Sequence, residues 1–415
     1  VVSFRFLLTR SFFALLGLRV GYWRQVVEEL WRKSDEEIMQ LHDTCLQEGM
    51  PRSANGQIVA SLGDLKVAQT LTKEGLRQQS NNSSHKKGFG RHTSGSTGEP
   101  TSVRLTKAEL GRLLGVRDYC FRHYGIKLGE REARLWGRVD DSLKARIGDL
   151  LLNRETYNPG AADGVRQVKR LTETRAAYIY GYVSLLLEAA RLMEANGWRP
   201  PKVSCIICTA EKILESQKRY LARIFNAPVV EEYGATEFDI IAFECKDWHL
   251  HLVNPWLIVE WVNGQCVITD VSRRSQYFIR YVIGDTLRLT RCACDGLGGR
   301  FVVEELEGRS ANRFVHLSES KKFHASEFSQ MINQYQNEYG DVFRFQIEQN
   351  DYTSFSMTVS PCPRKGQHHI SDYLRENVKK KHNANIDIKV TVTADSGLLI
   401  NKSGYFIQNI DQQHD

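Results

Sequence analysis

The sequence predicts an α/β protein in which a large N-terminal domain with mixed or parallel sheets precedes a small α+β domain. Three observations carry this. Short apolar runs bounded by turn residues alternate with helical segments between Thr106 and Glu231, the order that builds a buried parallel-type sheet. Beyond Arg309 the text changes to strands of alternating apolar and polar residues. The length of 415 residues exceeds one ordinary domain core and suits a large domain plus a smaller one. The join is expected at 309–312, giving domains 1–309 and 310–415.

The chain opens with an apolar stretch, Val1 to Trp23, cut by Arg5, Arg10 and Arg19. Its longest charge-free run, Ser11 to Leu18, is far below the roughly 20 residues of a membrane span. It reads as an amphipathic helix packed on the body, with loose membrane contact as the lesser alternative and no stable insertion. The opening at Val1 suggests a trimmed or alternative start. Ser34-Asp-Glu-Glu37 is a capping box followed by Ile38, Leu41 and Cys45 at helical spacing, and Gly49-Met-Pro51 ends that helix. A short helix is expected from Leu62. Asn81 to Ser84 mark an exposed loop, and Thr106-Lys-Ala-Glu109 caps a further helix.

Ala177 to Tyr180, Val203 to Ile207 and Pro228 to Glu231 read as buried strands, with a helix over Leu214 to Ile224. Cys205 and Cys208 lie three apart on such a strand and so point to opposite faces, which excludes a redox pair. Phe343 to Glu348 and Phe355 to Ser360 form a hairpin around Asn350-Asp351. A helix from Ile370 to Lys380 and a strand from Ile386 to Val392 complete the small domain.

Composition narrows the class. A hydrophobic share of 41% with 25% charged residues fits a soluble globular protein. Fifty-six basic against 49 acidic residues give a net charge of +7, which suits a protein handling small anions. No dense basic stripe argues for nucleic acid, and Lys379 to Lys381 read as a solvated helix end. Nine cysteines, an odd number in a long chain, do not form a disulfide framework and point to a reducing cytoplasm.

Four motifs carry chemistry. In His92-Thr-Ser-Gly-Ser-Thr-Gly-Glu-Pro100, the amides and hydroxyls of Thr93, Ser94, Gly95, Ser96, Thr97 and Gly98 can wrap phosphate oxygens. It is not a Walker loop, because no Gly-Lys-Ser/Thr follows. In Glu231-Glu-Tyr-Gly-Ala-Thr-Glu237, Thr236 can bond a phosphate and Glu237 can hold magnesium. In Ile279-Arg-Tyr-Val-Ile-Gly-Asp285, Asp285 can accept ribose hydroxyls. In Glu307-Gly-Arg309, the guanidinium can reach ribose or phosphate. Taken singly, the second motif reads equally as a plain strand-to-loop turn, while Asp285 reads sooner as a turn aspartate and Arg309 as a surface arginine.

Their order and spacing resemble the adenylate-forming superfamily over nearly the whole chain. Tyr180-Gly-Tyr-Val-Ser184, Thr209-Ala-Glu211 and Arg280-Tyr-Val-Ile-Gly-Asp285 look like its phenylacetate–coenzyme A ligase-like branch, nearest to members from capsular polysaccharide clusters. The resemblance implies an ATP- and magnesium-dependent enzyme. It would convert a small carboxylic acid to an acyl-adenylate and pass the acyl group to coenzyme A or another thiol or amine acceptor. By the same likeness, Thr93 to Gly98 hold the β- and γ-phosphates, and Ala210 and Glu211 border the adenine. Tyr233 and Gly234 lie against base or acyl group, Thr236 at the α-phosphate and Glu237 at magnesium. Asp285 holds the ribose beside Arg309 at the hinge of a mobile small domain. Homodimers are common in that branch.

One departure stands out. The family's C-terminal Ser-Gly-Lys, whose lysine bridges carboxylate and α-phosphate, reads here Lys402-Ser-Gly-Tyr-Phe406. Tyr405 stands in the lysine's place, and Lys402 is the nearby cation left for the role. A degenerate homologue that binds ATP or acyl-adenylate without efficient adenylation is therefore the alternative reading. A phosphotransferase is disfavoured because no Walker lysine or kinase motif is present.

Cys245, His249, His251, Cys292 and Cys294 are zinc-type ligands, though their spacing is not that of a standard finger. Likeness to some members of the same branch selects Cys245, His251, Cys292 and Cys294 as a structural zinc set, with His249 spare. Packed, reduced cysteines are the alternative.

Overall fold

The computed structural model describes residues 3–82, 88–92, 102–137, 142–263, 265–307, 314–393 and 406–408. A helical N-terminal segment comprises α1 (Phe4–Leu15), α2 (Val20–Trp31), α3 (Asp35–Gly49), α4 (Leu62–Val67) and α5 (Lys73–Asn82). The opening stretch is two helices rather than one. Gly17 takes a φ of +70° and Arg19 one of +48°, which breaks the helical hydrogen bonding between them. The capping box at Ser34 is formed, with Glu37 N donating to Ser34 Oγ at 3.2 Å and Ser34 N to Glu37 at 2.8 Å.

A hairpin of β1 (Phe89–His92) and β2 (Ser102–Leu105) leads into α6 (Lys107–His123), which is capped by Thr106 and Glu109 as expected. Next come β3 (Glu132–Leu135), α7 (Leu143–Leu151), β4 (Arg154–Tyr157) and α8 (Gly164–Thr172). They are followed by β5 (Tyr178–Tyr182), α9 (Val183–Ala195), β6 (Ile206–Thr209), α10 (Glu215–Phe225) and β7 (Val229–Ala235). Strand β6 begins at Ile206 instead of Val203. Residues 203–205 run beside β5 alone, through Ser204 N to Ala177 O, and β7 joins only when Ile206 N bonds Pro228 O.

The chain then forms β8 (Asp239–Glu244), β9 (Leu250–Leu252), β10 (Leu257–Val262), β11 (Gln265–Asp270), β12 (Tyr281–Val282), β13 (Thr286–Arg291) and β14 (Phe301–Glu307). Nine strands make one sheet in the order β13-β14-β9-β8-β7-β6-β5-β3-β4. The half from β4 to β7 is parallel and the half from β7 to β13 is antiparallel. A separate antiparallel sheet holds β10, β11 and β12.

The parallel half is covered on both faces. Cys205 packs under the N-terminal helices and Cys208 under α8 to α10, the two-sided placement that the spacing predicts. The remaining residues form β15 (Phe314–His316), β16 (Lys322–His324), α11 (Ser326–Tyr339), β17 (Arg344–Gln349), β18 (Ser354–Ser360), α12 (Gln367–His382), β19 (Asp387–Val392) and β20 (Phe406–Gln408). Here β19-β18-β17-β20 make a four-stranded sheet with its own core around Phe328, Ile347, Met357 and Leu374. The expected join at 309–312 lies outside the described residues.

Candidate active site and a cysteine–histidine cluster

Three neighbouring parallel strands end together. Strand β5 ends at Tyr182 and enters α9; β6 ends at Thr209 and passes to Ala210 and Glu211; β7 ends in Tyr233, Gly234 and Ala235. Loops at the carboxyl ends of parallel strands form the ligand crevice of open α/β sheets. Strand β7 is also where the sheet changes from parallel to antiparallel.

Side chains tie these loops together. Ser184 donates through its N–H at 2.6 Å and its hydroxyl at 2.9 Å to Glu211, so the carboxylate closes the first turn of α9. Burial raises the Glu211 carboxyl above its ordinary value, and the two Ser184 donors oppose that. Ala210, between strand and carboxylate, holds a left-handed φ of +64°. The Tyr-Gly-Tyr-Val-Ser and Thr-Ala-Glu motifs thus meet in space.

The β7–β8 turn bulges between Tyr233 and Gly234. A Cβ at Gly234 would run into the Asp239 carbonyl oxygen, so the turn requires glycine. Tyr233 donates its hydroxyl to Asp285 Oδ2 at 3.0 Å, and Tyr281 donates to Glu237 Oε1 at 3.0 Å. Burial and then the neighbouring carboxylates hold both phenols above their ordinary values, so they remain donors. Tyr233 and Glu237 of one motif and Asp285 of another therefore share one polar cluster. Tyr281 joins them; it stands in the Arg280-to-Asp285 motif but was not singled out in the sequence. Thr236 lies half-buried on the same turn.

A charged network underlies the turn. Glu232 accepts from the Tyr180 hydroxyl at 2.7 Å and from Thr209 at 3.3 Å, and faces Arg117 at 3.4 Å. Arg117 also binds Asp239 at 2.6 Å, and Arg91 approaches Asp239 at 3.7 Å. Burial raises Glu232, against Arg117 and the Tyr180 hydroxyl. Against burial, Arg117 and Arg91 hold Asp239 below its usual value. Arg91 stands on β1, next to His92, where the Ser/Thr/Gly run begins. His92 and Ser102 pair across the hairpin that brackets it, so the stem of that run is anchored to the β7–β8 turn. Thr93, Ser94, Gly95, Ser96, Thr97 and Gly98 themselves lie outside the described residues, as do Arg309, Lys402 and Tyr405. Strand pairing sets Glu307, two residues before Arg309, opposite Thr286, next to Asp285.

A second cluster forms where β8 meets β9. Ligand-type atoms of Cys245, His249, His251 and Cys294 all lie within 4.8 Å of one another. The Cys245 and Cys294 sulfurs are 3.8 Å apart. His251 Nδ1 bonds the Gly299 carbonyl at 2.6 Å, which leaves its buried Nε2 without a hydrogen-bond partner. Burial lowers the His251 imidazole below its ordinary value and keeps it neutral, the form that ligates metals. A Cβ on Gly296 would meet Cys245 Cβ at 2.9 Å, which explains the glycine in this tight loop. Three of the four expected ligands come together; His249 is the fourth member, while the Cys292 sulfur instead lies 3.4 Å from the Cys294 amide nitrogen.

The sequence matches no family model, and comparison with curated proteins finds none similar. Comparison with solved structures shows a fold shared with an acyl-CoA ligase. The similar structures include 2-hydroxyisobutyryl-CoA ligase in the postadenylation state with 2-HIB-AMP. Its TM-score is 0.63 at 16% identity, over 94% of this chain and 88% of that one. An open conformation of the same ligase, in complex with 2-HIB-AMP and CoA, gives a TM-score of 0.51 at 16% identity, over 94% and 90% of the two chains.

Proposed function

We propose that the protein is an AMP-forming acid ligase of the phenylacetate–coenzyme A ligase-like type. It activates a small carboxylic acid with ATP and transfers the acyl group to coenzyme A or an amine, in cell-surface polysaccharide biosynthesis. The observation that carries this reading is the meeting of Tyr233, Glu237, Tyr281 and Asp285 at the carboxyl ends of the parallel strands. The 231–237 and 279–285 motifs meet there, and the Tyr180–Ser184 and Thr209–Glu211 motifs meet each other on the neighbouring strand ends, which a set of unrelated turns would not do.

In this reading the substrate carboxylate attacks the α-phosphorus of ATP, and pyrophosphate leaves. The run from Thr93 to Gly98 holds the β- and γ-phosphates. The Thr236 hydroxyl bonds the α-phosphate, and Glu237 would hold a magnesium ion, which would supply charge neutralisation at the phosphates. Asp285 accepts the ribose hydroxyls, oriented by the Tyr233 phenol and assisted by Arg309. The chain's contribution is alignment and charge stabilisation. The Ala210–Glu211 loop borders the adenine, its backbone fixed because Glu211 is tied to α9. The small domain, hinged at 309–312, reorients between the two half-reactions. Lys402 supplies the cation that Tyr405 does not.

Cys245, His249, His251 and Cys294 fit a structural zinc ion, on the strength of the orphaned His251 Nε2 and the paired sulfurs. The ion would join the β8–β9 hairpin to the loop between β13 and β14.

A second reading rests on Tyr405: a homologue that binds ATP or acyl-adenylate but has given up adenylation. Pyrophosphate release from ATP and magnesium, against a panel of aryl, fatty and amino acids and with Tyr405→Lys alongside, separates the two. Release by the unaltered protein establishes the ligase. Release by Tyr405→Lys alone establishes the second reading. Silence of both, with no ATP binding, refutes the site.

A further inference from the structure

Helix α1 shows apolar residues on two opposite sides. One side meets the body: Thr9 and Phe13 are buried, and Phe12 and Leu16 pack against the core. The other side, Phe4, Leu7, Ser11, Ala14 and Leu15, follows helical spacing and faces water. Phe4 is 79% exposed, Leu7 53% and Leu15 86%. A water-facing stripe of a surface helix ordinarily carries charge. Helix α7 lies alongside α1 and repeats the pattern. Leu143, Ile147 and Leu150 share its outer face and are 74%, 49% and 43% exposed. Six large apolar side chains are thus exposed on two touching helices, a concentration that on a protein surface marks an interaction site.

Charge decides what covers this surface. Before Glu28 the chain contains Arg5, Arg10, Arg19 and Arg24 and no acidic residue; Arg24 is ion-paired to Glu28 and Asp118, which leaves Arg5 and Arg19 as the exposed cations of this segment. Helix α7 adds Lys144 and Arg146, and its one acid, Asp149, turns toward Arg154 at 3.9 Å and Thr156 at 3.4 Å. Arg5, Arg19 and Arg146 are exposed. A second copy docked on the same face would bring arginine against arginine. Phenylalanine and leucine flanked by unopposed arginines match the boundary of a bilayer with anionic headgroups, where the apolar side chains enter the acyl region and the guanidiniums meet phosphate. No helix among the described residues is long and apolar enough to cross a membrane, so the contact lies in the plane of the surface.

We propose that α1 and α7 form a docking face for an anionic lipid surface.

The test is sedimentation of the whole protein with phosphatidylcholine vesicles, with and without phosphatidylserine, at low and high salt. Binding is expected to the phosphatidylserine vesicles and to weaken with salt. Leu7→Glu with Leu143→Glu should reduce it about tenfold or more, and Arg5→Glu with Arg146→Glu should remove the preference for anionic lipid. All four side chains are exposed, so thermal midpoints should match the unaltered protein, which separates lost docking from lost folding. Absence of binding to either vesicle, or equal sedimentation of the Leu7→Glu/Leu143→Glu protein, overturns the proposal. So does self-association that Leu7→Glu abolishes, which would give the face to a second copy.

Discussion

Glu231 stands on β7 two residues before Tyr233 and is the carboxyl whose titration should be most visible. Burial, reinforced by the Glu244 carboxylate, raises it from 4.5 to about 7, against Lys218 and Lys212. Glu231 N donates to Glu244 Oε2 at 2.9 Å, and Glu244 is itself ion-paired to Lys218, so the nearest cation is already engaged. A carboxyl that holds its proton more tightly folded than unfolded stabilises the fold fully below pH 4.5. That contribution is lost as pH rises through about 7. The two values lie about 2.5 pH units apart, worth about 3 kcal/mol at most, and about 2 kcal/mol once partial water access is allowed for. Glu231→Gln keeps the shape and removes the titration. Urea unfolding at pH 8.5 should find the variant more stable by about 2 kcal/mol, and at pH 4 the two proteins should be equal. A difference that is the same at both pH values, or a more stable unaltered protein at pH 8.5, refutes the reasoning.

Tyr233→Phe removes a hydrogen bond to a carboxylate and should cost about 1.5 kcal/mol of stability. It should also raise KM for ATP about tenfold with a smaller change in kcat; an unchanged KM beside a raised one in Asp285→Asn would sink the orienting role. Gly234→Ala drives a methyl into the Asp239 backbone and should destabilise by roughly 3 kcal/mol or leave no soluble protein, and an unchanged urea midpoint would mean the bulge is not as described. Cys294→Ser should drop zinc from stoichiometric to background by elemental analysis and lower the thermal midpoint, as should prolonged chelation; full zinc content in the variant would exclude the cluster as a site.

What the sequence showed was local. The capping boxes at Ser34 and Thr106 each lie within four residues, and the hairpin at Asn350-Asp351 is fixed by its own turn. The opposed burial of Cys205 and Cys208 follows from strand geometry alone. The motifs were legible as residue types, short clusters of hydroxyls, glycines and carboxylates. Their partners were not. Glu211 finds Ser184 from 27 residues away, and Arg117 finds Glu232 from 115, so no periodicity reports either bond. His249 replaced Cys292 in the cluster for the same reason: the turn at Cys245, where Cys245 N bonds His249 O, brings that histidine back toward Cys245. The break at Gly17 needed only a left-handed residue, a weak signal inside an apolar run.

The two clusters are not independent. Strand β8 leaves the turn that carries Glu237 and arrives at Cys245; β13 leaves Asp285 and arrives at Cys292 and Cys294. Both strands have six residues, about 20 Å of nearly inextensible chain. Helices α3 and α6 brace the same end, since Arg291 and Arg300 both bind Asp35 and the Tyr119 hydroxyl donates to the Leu297 carbonyl at 2.6 Å. A metal that joined the cysteine–histidine ends would therefore limit the relative movement of Glu237 and Asp285, the two carboxylates that the proposed function assigns to one nucleotide. On this argument partial chelation should raise KM for ATP before it lowers the thermal midpoint. Loss of both in step would mean that the cluster holds the fold without bearing on the site.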